Sequence, residues 1–499
     1  MPSPSWKFTR SACLPGKVPL SRLRGRWVLQ KPARWRNVKV GVIDFDSVIH
    51  RAPPGGEMLS LLPSQSRPAH IRKRFSLCVA ALLLIALADG PATGAPRHSP
   101  ASAADPTVVS EWNEIATSTL AGDTTKQPVE DLLYMGFVQA AVYNAVVGVK
   151  GRYAPYRFHA HAPCRTSAQA AAVAAAHRIL VTYVPSAQAA LDADYAGSLA
   201  RIPDGKAKVH GIAFGTRAAN SLIRRRAHDG RNAPISFTRS PAPGVWRPTP
   251  PALLPMSAPW LGFVKPLLVR SATQFGPPRS PPPLTSPRYT RDYAEVKALG
   301  SNDSTARTAA QTKIALFFSG SALVQYNAAL RDQVTVRHLD IVDAARMFAA
   351  IDMSVADVEI SVWRAKYTYG FWRPITAINL AQTDDNPFTV PDPDWVPFVA
   401  TPPYPEYPSG YNAFNSTVTH GLESLFHTRH HLRLTLGSTA LPGVERHYDS
   451  GRRLRRDVVN ARVWLGLHFR FADTAARHMG RQLAAWTLDH YFQPVHGEK

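Results

Sequence analysis

The chain is poor in cysteine. Cys13, Cys78 and Cys164 are the only ones in 499 residues, and the first two fall in a stretch with the character of an export signal. After processing Cys164 would stand alone, which excludes an intrachain disulfide and any cysteine-based metal site. Sustained apolar–polar alternation is missing too, which argues against a sheet-built core. Zinc-finger spacing, an RNP-like aromatic motif and a long Lys/Arg array are all absent from the part expected to fold. A nucleic-acid partner is therefore not expected, despite the basic balance. The apolar run Phe75–Ala88, about 14 residues, is too short for a comfortable membrane span, so no stable span is expected once the chain is processed. No internal repeat recurs at a fixed period.

What is present is positive charge and proline. Lys and Arg total 58 against 35 Asp and Glu, a formal charge of +23. Residues 1–104 carry sixteen basic and four acidic residues, so 16 − 4 = +12 resides there and about +11 in the rest. Within 71–95 a basic lead (Arg72, Lys73, Arg74) precedes the apolar run and then small residues, the order of a secretory signal peptide. Residues 71–104 are thus expected to be a signal peptide and short linker, with cleavage near Ala95 or near Ala103/Ala104. Residues 1–70 are expected to be a disordered or mis-assigned extension, with Met58 a candidate start, and the mature protein to be secreted.

From about 107 onward the pattern is helical. "PVEDLLYMGFVQAAVYNAVVGV" (128–149) sets apolar residues on one broad stripe, with Glu130 and Asp131 in the first turn. "SAQAAAVAAAHRILVTY" (167–183) begins at a serine suited to capping. Further helices are expected from near Ser186 and over 204–226, 290–299, 304–334, 337–371, 411–427, 451–465 and 473–492. Residues 227–287 break the rhythm with many of the 44 prolines and read as a long ordered connection or linker. The expected fold is all-α: a large helical bundle, or two in tandem over 105–270 and 288–494, with the site in the core of the C-terminal one.

Three segments carry chemistry. In "KYTYGFWRP", Lys366 and Arg373 are seven residues apart, about two helical turns, and Pro374 places Arg373 where a helix ends. Two cations facing one space suit a multiply charged oxyanion; two solvated basic residues beside an aromatic strip are the plainer account. In "YPSGYNAF", Ser409 and Gly410 stand at a helix N-terminus, where free N–H groups and the dipole favour an anion. An ordinary serine cap would look the same. In "ARVWLGLHFRFAD", Arg462 and His468 would lie on different faces of a regular helix. Converging on one ligand requires a break, and Gly466 is the place for it. His468 then suits ligation or nucleophilic attack, although a lone histidine on an aromatic helix can equally be core. The basic stretch "GRRLRRD" (451–457) reads as a solvated helix start or as a funnel for anions.

Taken together, Lys-x6-Arg-Pro, Pro-Ser-Gly and Arg-x3-Gly-x-His resemble the signature shared by vanadium-dependent haloperoxidases and the type 2 phosphatidic-acid-phosphatase superfamily. "VVSEWNEIA", "YNAVVGVKGRYAPY", "TRDYAEVKALG", "TPPYPEYPSG" and "GLHFRF" look like the bacterial haloperoxidase-like branch, so that the resemblance covers roughly 107–492. It implies a helical bundle in which Lys366, Arg373, Arg462, Ser409 and the Gly410 N–H hold vanadate or phosphate. His468 would be the axial vanadium ligand, or the phosphatase nucleophile. The implied partners are hydrogen peroxide, a halide and a small organic substrate.

The resemblance also exposes departures. Tyr411 stands where the family has an acid–base histidine after Ser-Gly, and an unperturbed phenol near pH 10 is poorly matched to that role. His420 lies nine residues on, too far along the helix for a direct replacement. Ala461 and Ala472 stand where phosphatases place a serine and an acid, with Asp473 one residue later, which weakens the phosphatase reading more. Three outcomes stay open: a secreted haloperoxidase, a secreted acid phosphatase, and a non-catalytic oxyanion-binding protein. If Tyr411 occupies the acid–base position, Tyr411→His raises whichever activity the chain has, measured as turnover at neutral pH. An unchanged or lower rate removes that role from Tyr411.

Overall fold

The computed structural model describes residues 105–428 and 431–495; the expectations for 1–70 and 71–104 concern residues outside these. The described residues form thirteen α-helices and one short hairpin, an all-α fold. Before the proline-rich stretch come α1 (Thr107–Ala121), α2 (Pro128–Lys150), α3 (Ala168–Tyr183), α4 (Gln188–Ala200) and α5 (Lys206–Arg225). After it come α6 (Pro287–Gly300), α7 (Ala309–Phe317), α8 (Ala322–Val336), α9 (Ile341–Tyr369), α10 (Pro374–Asn379) and α11 (Gly410–Leu425). The strands β1 (Leu434–Gly437) and β2 (Glu445–Tyr448) then lead to α12 (Gly451–Trp464) and α13 (Arg470–His490).

Helix starts follow local chemistry. The Ser167 hydroxyl accepts from Ala170 N–H at 3.1 Å, and Asp340 accepts from the Val342 and Asp343 N–H groups at the head of α9. Each satisfies donors that an α-helix leaves unpaired in its first turn. α2 is long and apolar enough to cross a membrane, but 83% of its most apolar window is buried inside the protein. It lies along α9, and one apolar core runs from Val108 to Phe492. A second, aromatic-rich cluster joins α6, α10 and the chain before α13.

The proline-rich connection is pinned to α9. The buried Asp357 carboxylate accepts from Leu267, Leu268 and Val269 N–H at 2.6, 2.7 and 2.9 Å. Three backbone donors with no helix or strand of their own thus find one acceptor.

Two expectations need correction. The sequence shows no sustained alternation, yet β1 pairs antiparallel with β2, Leu434 opposite Tyr448. Four residues per strand are too few for the pattern to stand out. The expected single helix 304–334 is two, because the Ser321 hydroxyl accepts from Val324 N–H and starts α8 afresh. The break frees the Phe318 carbonyl, which matters at the site.

Asp352 sits fully within the α2–α9 core. Asn327 Nδ2 approaches one of its oxygens at 3.5 Å, and the other has no partner. Burial pushes the carboxyl up to about 8. The folded chain therefore keeps a proton that the unfolded chain releases near pH 4, and this stability is lost as pH rises through 8. Asp352→Asn is expected to raise the melting temperature more at pH 9 than at pH 5, a difference of more than about 1 kcal/mol in stability. Equal effects at both pH values would show that Asp352 does not titrate with folding.

Candidate oxyanion site

The three segments meet. α9 ends at Gly370, which is left-handed with φ 56°, so Lys366 and Arg373 do not share a helix face. The turn after α9, not helical periodicity, brings Arg373 back towards Lys366. Lys366 Nζ donates to the Pro405 and Glu406 carbonyls at 2.8 and 3.0 Å. Arg373 Nε donates to Tyr404 O at 2.8 Å and Nη1 to Leu467 O at 2.9 Å. Both side chains are fully buried, and both cations lie near the Tyr404 ring, at 5.0 and 4.7 Å from its centre.

Gly466 supplies the expected break. α12 ends at Trp464, and Gly466 adopts φ +76°. A Cβ there would stand 2.5 Å from the Gly300 carbonyl and 2.8 Å from Pro397 Cβ, so the position needs both the left-handed conformation and the missing side chain. The turn carries His468 away from the α12 face. Its Nδ1 lies 2.9 Å from Glu406 Oε1, which also accepts from Phe469 N–H at 3.0 Å. Its Nε2 lies 3.4 Å from Arg373 Nη1. An arginine only donates, so Nε2 must be the acceptor and Nδ1 carries the proton, given to Glu406. Burial, and then the charges of Arg373, Lys366 and Arg462, hold the imidazole well below its ordinary value. His468 is therefore neutral at pH 7, with its Nε2 lone pair turned towards Arg373.

Arg462, near the end of α12, donates from Nη1 to the Phe318 carbonyl at 3.2 Å, the group freed between α7 and α8. Its guanidinium lies 5.0 Å from the Tyr411 ring centre. Tyr411 gives its own O–H to Gln325 Oε1 at 2.8 Å, and burial pushes that hydroxyl further up. Ser409 precedes α11 without capping it through its side chain, which leaves the first N–H groups of α11 without a serine acceptor. A Cβ on Gly410 would meet Glu359 Oε2 at 3.0 Å and the Trp363 ring at 3.5 Å.

Three carboxyls share this interior. Burial pushes Glu406 and Glu359 up to about 8, with Lys366 opposing in both cases. It pushes Asp473, which accepts from Asn412 Nδ2 at 2.7 Å, up to about 7. Among the described residues none of Lys366, Arg373 and Arg462 has a carboxylate within ion-pair distance; Glu406 is committed to the hydrogen bond with neutral His468. Arg373 Nη2 and Arg462 Nε are buried with no partner at all. Buried donors left open on two cations, with a helix N-terminus beside them, suit a tetrahedral oxyanion.

The sequence-derived residues thus fall into two linked groups. Lys366, Arg373 and His468 converge through Glu406 and Tyr404. Arg462 and Tyr411 stack on each other beside the start of α11, and Arg462 bears electrostatically on His468 and Arg373. Sequence reasoning missed Glu406, Glu359 and Tyr404. Glu406 and Tyr404 sit in the quoted "TPPYPEYPSG", but nothing local ties Glu406 to a histidine 62 residues on. Glu359 could have been found: it lies seven residues before Lys366 on the same helix face.

A family profile for the VCPO second helical-bundle domain matches residues 346–497, the stretch that holds every residue of this site. The likeness of this chain is thus to the vanadium haloperoxidase-like superfamily. The vanadium chloroperoxidase of Curvularia inaequalis is 28% identical over 180 residues, a match spanning 27% of this chain and 29% of that protein's length. A bacterial vanadium-dependent iodoperoxidase structure superposes with a TM-score of 0.68 at 22% identity, over 81% of this chain and all of that one. A holo-type bacterial vanadium-dependent chloroperoxidase superposes with a TM-score of 0.60 at 16% identity, over 76% and 95%. These superpositions extend the shared fold well beyond the matched domain. Within this haloperoxidase-like scaffold Gly466 sets the aim of His468. Gly466→Ala is expected to weaken orthovanadate binding by more than about tenfold, the scale for losing a ligand's supporting contacts. Calorimetric titration checks it, and unchanged affinity would mean that His468 is positioned by something else.

Proposed function

We propose that this chain is a secreted, vanadate-binding haloperoxidase that oxidises a halide with hydrogen peroxide and passes the oxidised halogen to a small organic substrate. Export rests on the basic, apolar, small-residue order of 71–95. The observation that carries the activity is the set of buried cations without carboxylate partners, gathered around a neutral histidine whose proton is held by Glu406. Lys366, Arg373 and Arg462 would offset the charge of the anion's oxygens, the Gly410 N–H would donate to them, and His468 Nε2 would offer its lone pair as the ligand. Bound vanadate would supply a Lewis acid that activates peroxide for oxygen transfer without changing its own oxidation state.

The proton is the remaining question, since Tyr411 spends its O–H on Gln325. Glu359 answers it. Its carboxyl lies beside the first residue of α11, Oε1 has no partner, and burial holds it up to about 8, so it keeps a proton at neutral pH. That is the matched acid which a phenol is not. Tyr404 and Trp363, with ring centres 4.9 Å apart, wall the same side and would exclude water from a halide. The commitment of Tyr411 to Gln325 also favours a second reading, an oxyanion-binding protein without turnover.

The test is the orthovanadate-loaded chain, assayed for halogenation of an activated diketone with peroxide and bromide or chloride, beside aryl-phosphate hydrolysis. Halogenation without hydrolysis is the expected result. Hydrolysis alone would make the chain a phosphatase, and vanadate binding with neither activity selects the second reading. Glu359→Gln is expected to lower halogenation by ~10²-fold, the scale of general acid catalysis, while leaving vanadate affinity nearly unchanged.

A further inference from the structure

A second basic site lies outside the oxyanion cradle. α11, α12, α13 and the chain around the start of α6 enclose a cavity of about 520 Å³. Its lining carries six arginines, Arg279, Arg288, Arg452, Arg455, Arg477 and Arg481, with His420 and His478. None of Lys366, Arg373, Arg462 and His468 lines it.

The arrangement follows from helix geometry. Arg452 and Arg455 are three residues apart on α12, and Arg477 and Arg481 four apart on α13, so each helix turns a pair of guanidinium groups to one side. No acidic side chain lines the cavity. The nearest, Glu423, is already engaged by Arg455 Nη1 at 3.0 Å and His420 Nδ1 at 3.1 Å. Among the described residues Arg279, Arg288, Arg452, Arg477 and Arg481 have no carboxylate partner. Arg455 is 6% exposed and its Nε has no acceptor. Burial and the charge of Arg455 both weigh against the charged form of Arg477. Six guanidinium groups in a partly desolvated space, with Glu423 paired to only one of them, destabilise the free protein and favour an incoming anion.

We infer that this cavity binds a small soluble anion bearing several phosphoryl groups. A single phosphate has four oxygens to share among six guanidinium groups. A chain of phosphoryl groups presents oxygens to α12 and α13 together, and arginine's planar fork matches them bidentately. The cavity continues through His420, Arg452, Arg455 and Arg481 into a wider cleft of about 1620 Å³ that adds Arg346, His427 and His431 against the acidic Glu423 and Asp489. A longer anion therefore has cationic surface to follow. The basic stretch 451–457 thereby has a ligand of its own, apart from the chemistry at His468.

Calorimetric titration of the full chain with tripolyphosphate tests this. The expected result is one-to-one binding, more than about tenfold tighter than orthophosphate and weakening as salt rises. The double variant Arg477→Ala/Arg481→Ala should lose at least about tenfold in tripolyphosphate affinity while still binding orthovanadate at the cradle, which also shows that it folds. His468→Ala should do the reverse. Three results overturn the inference: no tripolyphosphate binding, binding unaffected by the double variant, or orthophosphate binding as tightly as tripolyphosphate. Tighter binding of a short single-stranded oligonucleotide or of anionic phospholipid vesicles than of tripolyphosphate would also overturn it, by placing the natural ligand in another class. Because cradle and cavity share none of the substituted residues, this inference and the haloperoxidase assignment fail separately.

Discussion

The contact on which the site depends is the Glu406 carboxylate. One of its oxygens takes Nδ1–H of His468 and N–H of Phe469, while its backbone carbonyl takes Lys366. A residue in the turn before α11 thus ties the end of α9 to the loop after α12. Without that acceptor the imidazole would lose its tautomer and its aim, and Nε2 would have no reason to face Arg373. Arg373 closes the ring by holding Leu467 and Tyr404 through their carbonyls. The cradle is accordingly a set of cations fixed by backbone carbonyls, not by carboxylates, and their charge stays available to a guest. Replacing those carbonyls with acidic partners would stabilise the empty protein and spoil the site.

Burial governs the protons of this interior as much as its packing. Glu359, Glu406, Asp473 and, in the main core, Asp352 are all pushed up by desolvation. Glu359 is one of these carboxyls, and it lies beside the first residue of α11. Tyr411 has moved into a different role: its ring supports the Arg462 guanidinium and its hydroxyl fastens α11 to Gln325 of α8.

Much of the architecture was legible because helices announce themselves locally. Apolar stripes and serine caps place most helix boundaries within a few residues, and the two faces that Arg462 and His468 would otherwise occupy point to Gly466 as a break. What escaped had a non-local cause. The split between α7 and α8 rests on a serine cap inside an apolar run, and the short hairpin on pairings across an intervening loop. Lys366 and Arg373 were expected on one helix face, but the left-handed turn at Gly370 ended α9 first and the two meet by a chain reversal.

By itself the sequence determined the helical class, the order of the cationic, turn and histidine segments, and the loss of the usual acid at Tyr411, because each is written in neighbouring residues and their period. Only the tertiary structure decided which atoms meet. It set Glu406 against His468, Phe318 against Arg462, Gln325 against Tyr411 and Glu359 against Gly410, pairs separated by tens to more than a hundred residues. It also decided the protonation of those groups, since desolvation depends on what packs around a carboxyl and not on its neighbours in the chain.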